Sequence, residues 1–424
     1  MEATSNKTQG LDYWKKIVIL LCAGWITMWI YRSALSPVYP QIREYLGGDV
    51  TDTALGSISS FYFMGYVSMQ IPAGFLVDKI GKKRVLIPGF LFFAAAAFLI
   101  SQATSLTMIY TGSVMAGIGC GSYYGSAYSL TAQNIPKSKK SFATAIVNSG
   151  SAVGAGLGMI LSSYLVAQKG MPWQTMMYLA IVLILIMVVA FATVIRGTKE
   201  DKEFLAAQAE KEAAEAEAAK QPKEKVSLSK LFEPRMLFTY ILYFAICYAY
   251  YMTVTWLPNF LGTERGFEGA AIGFSSSLVS FASIPGALFF SKLADKYMTH
   301  KVKFIIGLNL LAAAMLLLTV QASSSQMLLI ALIMYGFLGK LAVEPILISW
   351  VGEHAPKVGV GTTLGVFNFF GMMSSVVAPA LTGSISDATG SKVFGFYIAV
   401  VLLVVGTLLF LYSVNATKRL EQQR

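Results

Sequence analysis

The chain has 424 residues, 55% hydrophobic and only 13% charged, with a mean hydropathy of +0.61. A soluble globular protein carries about 25% charged residues, so too little polar surface is available for a water-soluble protein of this length, and a membrane protein is the default class. The net charge of +11 raises nucleic acid as a partner, but its placement in short loops between apolar runs is the mark of membrane topology and excludes that reading.

A spanning helix needs about 20 apolar residues. Twelve stretches qualify: 17–40, 53–77, 85–104, 107–133, 141–167, 173–195, 236–261, 269–291, 303–321, 326–351, 359–386 and 393–414. The expected fold is therefore an all-α membrane protein of twelve transmembrane helices. Six lie in residues 1–196 and six in 236–424, with a cytoplasmic linker over 197–235. The linker is rich in Lys, Glu and Ala (Ala209-Glu210-Lys211-Glu212-Ala213-Ala214-Glu215) and reads as a solvated, partly helical connector. No cleavable signal is evident, because the first apolar run is long enough to span and lacks a small-residue cleavage site.

Lys and Arg counts orient the spans. Of the 33 basic residues, Arg43, Lys169, Arg265 and Lys392 fall on one side, Arg32 and Lys340 fall inside spans, and the other 27 share the side of both termini. That side is expected to be the cytoplasm, and the bilayer an inner membrane. Pro72 and Gly74 are expected to end the second span. Gly117, Gly119, Gly121 and Gly125 run along the fourth, and Gly150, Gly154, Gly156 and Gly158 along the fifth. Small residues in these rows serve close helix packing and also suit faces that slide. Cys22, Cys120 and Cys247 lie in apolar runs and read as packing residues, with no metal site or disulfide framework. His300 and His354 sit at span ends as surface residues. No nucleophile–base pair, phosphate loop or metal cluster is visible, so neither an enzyme nor a cofactor is expected.

Between the second and third spans lies Gly74-Phe75-Leu76-Val77-Asp78-Lys79-Ile80-Gly81-Lys82-Lys83-Arg84. A degenerate copy, Ser291-Lys292-Leu293-Ala294-Asp295-Lys296, follows 217 residues later. One loop repeated at that distance makes the chain two related halves. An acid adds nothing to a topology signal, so Asp78 points to a conformational latch: at a helix end it pairs with bases in one state and loses them in another. Twelve spans as six plus six, with this loop in this place, resemble the major facilitator superfamily over essentially the whole chain. The resemblance implies a latch role for Asp78, Lys79, Arg84, Asp295 and Lys296. It further implies a monomer and alternating access, with two halves rocking about a site near the bilayer midplane.

Arg32 stands deep in the first span, in Trp29-Ile30-Tyr31-Arg32-Ser33-Ala34, about eight residues from the end of the run. A charge there costs roughly 3 kcal/mol on insertion scales, and the guanidinium fork suits a carboxylate or phosphate. In the tenth span, Lys340 and Glu344 share a helix face at i,i+4. They form either a self-neutralising pair that eases insertion, or a second anion anchor whose Glu344 neutralises it when empty or carries a coupling proton. Pro345 weakens the helix beside them. Tyr31, Tyr62 and Tyr66, then Tyr123, Tyr124 and Tyr128, then Tyr248, Tyr250 and Tyr251, fall inside spans, where an apolar face and a hydroxyl suit a wet cavity. Asn148, Ser151, Gln133 and Asn368 add neutral hydrogen-bonding groups.

Within the superfamily the chain resembles the anion:cation symporters that take up sugar acids and related carboxylates, in Tyr31-Arg32-Ser33-Ala34-Leu35, Gln70-Ile71-Pro72-Ala73-Gly74, Thr255-Trp256-Leu257-Pro258-Asn259-Phe260-Leu261 and Gly365-Val366-Phe367-Asn368-Phe369. This implies that Arg32 grips a substrate carboxylate, with Tyr66, Ser151 and Asn368 as further contacts. The departures are specific. Proton-coupled members have an acid where Tyr31 stands and a Glu where Cys120 stands, and the wider superfamily has an Arg at Ser113. Glu344 is the remaining mid-membrane acid, so coupling by protons or sodium, if present, is expected there. The expected function is secondary transport of a small organic anion bound by Arg32, Lys340, Tyr31, Tyr66, Tyr124, Asn148, Ser151, Tyr250 and Asn368. The alternatives are an exchanger for organophosphates or dicarboxylates, although Tyr250 stands near the position of their second Arg, a drug exporter, and a non-transporting membrane sensor.

Overall fold

The computed structural model describes residues 12–136, 139–196, 231–297, 300–355 and 360–422. Most of the expected linker lies outside them, as do the side chains of Tyr128, Asp78 and Asp295. Among the described residues the regular structure is helical throughout: α1 (Tyr13–Ala34), α2 (Tyr39–Tyr45), α3 (Asp52–Ile80), α4 (Lys82–Ser101), α5 (Leu106–Asn134), α6 (Lys140–Ser162), α7 (Gln174–Val194), α8 (Pro234–Glu264), α9 (Ala270–Lys296), α10 (Lys301–Gln321), α11 (Ser325–Leu338), α12 (Lys340–His354), α13 (Val360–Thr389) and α14 (Val393–Gln422). A 3₁₀ turn, Ser36–Val38, joins α1 to α2, and a π turn, Ser163–Gln168, ends α6. Ten of the described segments are long and apolar enough to cross a membrane.

Three spans differ from the sequence expectation. The second does not end at Pro72 and Gly74: α3 runs through both to Ile80, and Gly81, at φ 90°, stops it. A proline inside a membrane helix removes one backbone bond, which neighbouring helices and side chains make tolerable. The tenth span is not one helix. Gly339 (φ −77°, ψ −147°) separates α11 from α12, so Lys340 is the first residue of a new helix. In the first span α1 ends at Ala34, because Pro37 begins the 3₁₀ turn. Arg32 therefore sits in the last turn of a helix, where the carbonyl end of the dipole favours a cation.

α1 and α3 to α7 pack on one another as one half, and α8 to α14 as the other. Glycines set the spacing inside the first half. A Cβ on Gly117 would lie 2.0 Å from the Tyr62 carbonyl oxygen, so α5 meets α3 backbone to backbone. Gly150, Gly154 and Gly158 do the same for α6 against the carbonyls of Cys22, Ile26 and Ile30 on α1. Gly156, on another face of α6, lies against the Phe281 ring of α9 in the second half.

The halves meet mainly through α3 with α13 and α6 with α9. The end at which α1 begins and α14 finishes is termed the terminal end, and the opposite one the far end. The tight contacts cluster at the far end: Gly56 on Pro379, Gly383 on the Asp52 backbone and Gly273 on Met159. Asn259 of α8 donates to the Ser36 carbonyl at 2.9 Å. Toward the terminal end a Cβ on Gly74 of α3 or Gly365 of α13 would meet nothing within 4 Å.

A polar knot closes the far end. The Asp52 carboxylate accepts hydrogen bonds from Arg43, from Ser386 at 2.6 Å and from Lys392 at 2.9 Å. In return Asp387 of α13 accepts the backbone N–H groups of Asp52 (2.7 Å) and Thr53 (2.8 Å) and the Thr53 hydroxyl (2.5 Å). A helix leaves its first N–H groups without intrahelical partners, and here a carboxylate from the other half caps them.

Two predictions follow from this packing. Gly117→Val drives a side chain into the Tyr62 backbone and is expected to cost about 2 kcal/mol or more, read as loss of monodisperse protein or a lower melting temperature, whereas Gly307→Ala, which meets open space, is expected to be neutral. Asp387→Ala removes an inter-half cap worth about 1 kcal/mol. It should speed labelling of a cysteine placed at the buried Ser60 by a membrane-impermeant maleimide about 5-fold, with unchanged labelling showing that the cap does not hold the far end closed.

Candidate functional site

At mid-depth the two halves face each other across rings. Arg32 projects from α1 among side chains of α1 and α3. Its Nε donates to the Tyr62 hydroxyl at 2.6 Å. Its guanidinium carbon lies 4.4 Å from the Tyr66 ring centre, 4.9 Å from Trp29, 5.0 Å from Tyr62, 5.4 Å from Phe63 and 5.8 Å from Trp25. Ring faces attract a cation by roughly 0.5–2 kcal/mol each. Among the described residues no carboxylate pairs with Arg32, and its Nη2 is buried with no hydrogen-bond partner. A buried, unfilled charged donor is costly, and an anion with two oxygens would satisfy it.

The second cation is arranged differently. Lys340 Nζ lies 2.9 Å from Glu344 Oε2, on the same face one turn on, and 5.6 Å from the Tyr250 ring centre. The Tyr243 hydroxyl donates to the other carboxylate oxygen, Oε1. Tyr243 is fixed by stacking on Phe367 at 3.8 Å, and Gly371 leaves it room, since a Cβ there would lie 2.2 Å from its ring. The Gly339 break and Pro345 bracket the pair, so it sits on a short, weakened stretch of helix. The pair is partly open, with side-chain exposures of 11% and 22%.

The two cation sites share one aromatic wall. Trp29, under Arg32, meets Tyr250, under Lys340, at 6.2 Å between ring centres. Phe63 meets Tyr251 at 4.9 Å.

The structure thus brings together Arg32, Tyr66, Tyr250, Lys340 and Glu344. Tyr31 is buried behind them, edge-on to Phe93 at 4.9 Å and beside Tyr62, so it supports the wall from its outer side. Asn148 is exposed on α6, and Ser151 donates to its carbonyl at 2.7 Å. Tyr124 is partly buried on α5, and Asn368 is partly buried beside Phe367. The sequence reading missed Tyr243 entirely. Its signal was present: it lies seven residues, two helical turns, before Tyr250 and so on the same face of α8. It named Tyr62 only as one lining aromatic, yet Tyr62 is the hydroxyl on Arg32. Cys120, the residue that departs from the Glu of proton-coupled members, is fully buried on α5.

Of the latch residues, Lys79 and Arg84 are exposed, and Lys296 is exposed with its ammonium 5.3 Å from the Tyr297 ring centre. The neighbouring bases are more engaged. Lys82, buried at the start of α4, donates to Gln133 of α5. Lys301, at the start of α10, donates to Ser349 at 2.8 Å and to Glu353 of α12. The two halves thus repeat one brace, a buried lysine at the start of one span holding the C-terminal portion of the next span.

The major facilitator superfamily model matches residues 20–379. The chain belongs to the Major Facilitator Superfamily. Three curated relatives resemble it over nearly their whole length. A probable sulfoacetate transporter of Cupriavidus necator is 25% identical, covering 93% of each chain. The D-galactonate transporter of Escherichia coli is 22% identical over 95% of this chain and 94% of its own. The hexuronate transporter of Bacillus subtilis is 25% identical over 92% of each. Among solved structures, a bacterial homologue of the human lysosomal transporter Spinster, described as inward-facing and unoccupied, superposes with a TM-score of 0.69 at 13% identity, covering 96% of this chain and 98% of that one. That likeness speaks to fold alone. This superfamily member is a multi-pass membrane transporter and not an enzyme.

Proposed function

We propose that this transporter is a secondary carrier of a small organic anion, a carboxylate such as a sugar acid, working by alternating access. The observation that carries the proposal is Arg32, a cation with an unfilled buried donor, caged by rings at the seam between the halves. Relatives named for sulfoacetate, galactonate and hexuronate transport support an anionic cargo. An unpaired cation at the seam argues against a carrier of cationic drugs. Lys340, already held by Glu344, argues against a site with two free bases.

Arg32 takes the acid group, and Tyr66, Tyr250 and Lys340 flank the cargo's body. Polar groups on α5, α6 and α13, Tyr124, Asn148, Ser151 and Asn368, meet it as the halves close. Glu344 is the acid available for proton coupling. The halves rock by breaking the Asp52–Lys392 and Asp387–Thr53 contacts at the far end while the terminal end shuts, where Asp78, Lys79, Arg84, Asp295 and Lys296 latch it. The concentration of basic residues at the terminal end supports a cytoplasmic position for that end and both chain termini. The carrier works as a monomer.

Arg32→Ala is expected to lower anion uptake into proteoliposomes about 100-fold, the size of a lost charged hydrogen-bond pair. Retained uptake would remove Arg32 as the anchor. Glu344→Gln is expected to abolish accumulation of a dianionic cargo driven by a pH gradient while loaded vesicles still exchange label. Surviving pH-driven accumulation would show that the coupling proton rides elsewhere.

A further inference from the structure

The two cations differ in how their charge is met, and that difference bears on which anions the site accepts. Arg32 is met by rings and hydroxyls, which leave its full charge in place. Lys340 is met by a carboxylate 2.9 Å away. The site therefore carries two positive charges and one negative, a net charge of one. In a low-dielectric setting an uncompensated charge is far more expensive than in water, so the cargo's charge must match the site's.

We propose, building on the organic-anion reading above, that Glu344 sets the charge of the cargo: with Glu344 ionised the site takes a monoanion on Arg32, and it takes a dianion only when Glu344 binds a proton and frees Lys340 for the second anionic group. The step is a simple proton uptake. A proton from solvent bonds to the carboxylate oxygen that faced Lys340, the ion pair opens, and the three ammonium donors turn to the cargo. The dianion thus enters with one proton, and the occupied site is neutral in both cases.

The surroundings of Glu344 fit this role. Its own helix supplies Lys340. From α8, Tyr243 donates to Oε1, Cys247 stands one turn on from it, and the Tyr250 ring centre lies 5.6 Å from the Lys340 ammonium, with Tyr251 next in sequence. Tyr335 of α11 lines the small space behind Lys340 with Tyr250 and Ser283. Phe367 of α13 contributes only a ring. Among the described residues Glu344 is the acid in this shell, so one proton resets the count. Tyr243 is a positioning residue: its hydroxyl holds Oε1, and its stacking on Phe367 ties the acid to α13. The Gly339 break and Pro345 let Lys340 and Glu344 part without unwinding a continuous helix.

The test uses two permanently ionised probes, ethanesulfonate and 1,2-ethanedisulfonate, whose own charge does not change with pH. Thermal-shift titrations of the purified full chain in detergent give an apparent affinity for each. For the unaltered chain, disulfonate affinity is expected to rise up to tenfold per pH unit of acidification, the slope of one linked proton, and monosulfonate affinity to stay nearly flat. Glu344→Gln is expected to raise disulfonate affinity at pH 7.5 at least about tenfold relative to monosulfonate and to remove its pH slope. Tyr243→Phe is expected to shift the disulfonate profile toward higher pH with its slope kept, which a purely structural role would not produce. A disulfonate affinity independent of pH, a ratio unchanged in Glu344→Gln, or no stabilisation of either chain by disulfonate overturns the proposal. Arg32→Ala separates this failure from that of the underlying reading: loss of both probes keeps Arg32 as the anchor, and binding of both unchanged removes it.

Discussion

A guanidinium held at mid-depth without a carboxylate is the constraint on which the rest of this structure turns. A cation there is expensive, and most proteins that bury one supply an acid beside it. Here the compensation is spread over five rings, one hydroxyl and the carbonyl end of α1. Each term is modest, and none of them cancels the charge. The rings of α3 in turn need α5 close to α3, which is why Gly117 lies against the Tyr62 backbone. The demand for an unpaired arginine thus reaches outward into the packing of the first half.

The second half solves the same problem by pairing. Lys340 begins a helix, where its charge opposes the dipole, and Glu344 one turn on corrects this. The pair is not sealed: it faces the seam, it lies between a break and a proline, and the outer carboxylate oxygen is held by a tyrosine from α8. One half therefore presents a cation with no acid beside it among the described residues and the other a cation paired with one. A carrier that must bind and then release its cargo gains from that asymmetry, because two fixed charges would hold an anion too well and two cancelled ones would not attract it.

The ends of the molecule follow the same division of labour at larger scale. At the far end each half completes the other's polar groups: Asp387 caps α3, and Lys392 and Ser386 satisfy Asp52. Contacts of this kind are specific yet replaceable by water at a loop end, unlike the glycine-to-carbonyl packing within each half. Toward the terminal end, bases such as Lys82 and Lys301 brace helices inside their own half. The halves meet at the far end through these hydrogen bonds together with close glycine-to-backbone contacts such as Gly56 on Pro379 and Gly273 on Met159.

Membrane class, the helical crossings, the six-plus-six repeat and the basic loops at one end were legible in the chain, because each is a sum over neighbouring residues: apolar length, charge density, a loop copied 217 positions on. So were Arg32 and the Lys340–Glu344 pair, since a charge in an apolar run and a four-residue spacing are local facts. Tertiary structure alone decided that Arg32 has rings and no acid beside it, that Tyr243 holds Glu344, and that Asp387 caps a helix more than 300 residues earlier in sequence. It also decided that α3 passes through Pro72 while the tenth span breaks at Gly339. These outcomes depend on the depth and rotation of one helix against another, which are set by how small residues let backbones approach. Periodicity along a single helix names the face that is buried, but it does not say which side chain of another helix arrives there.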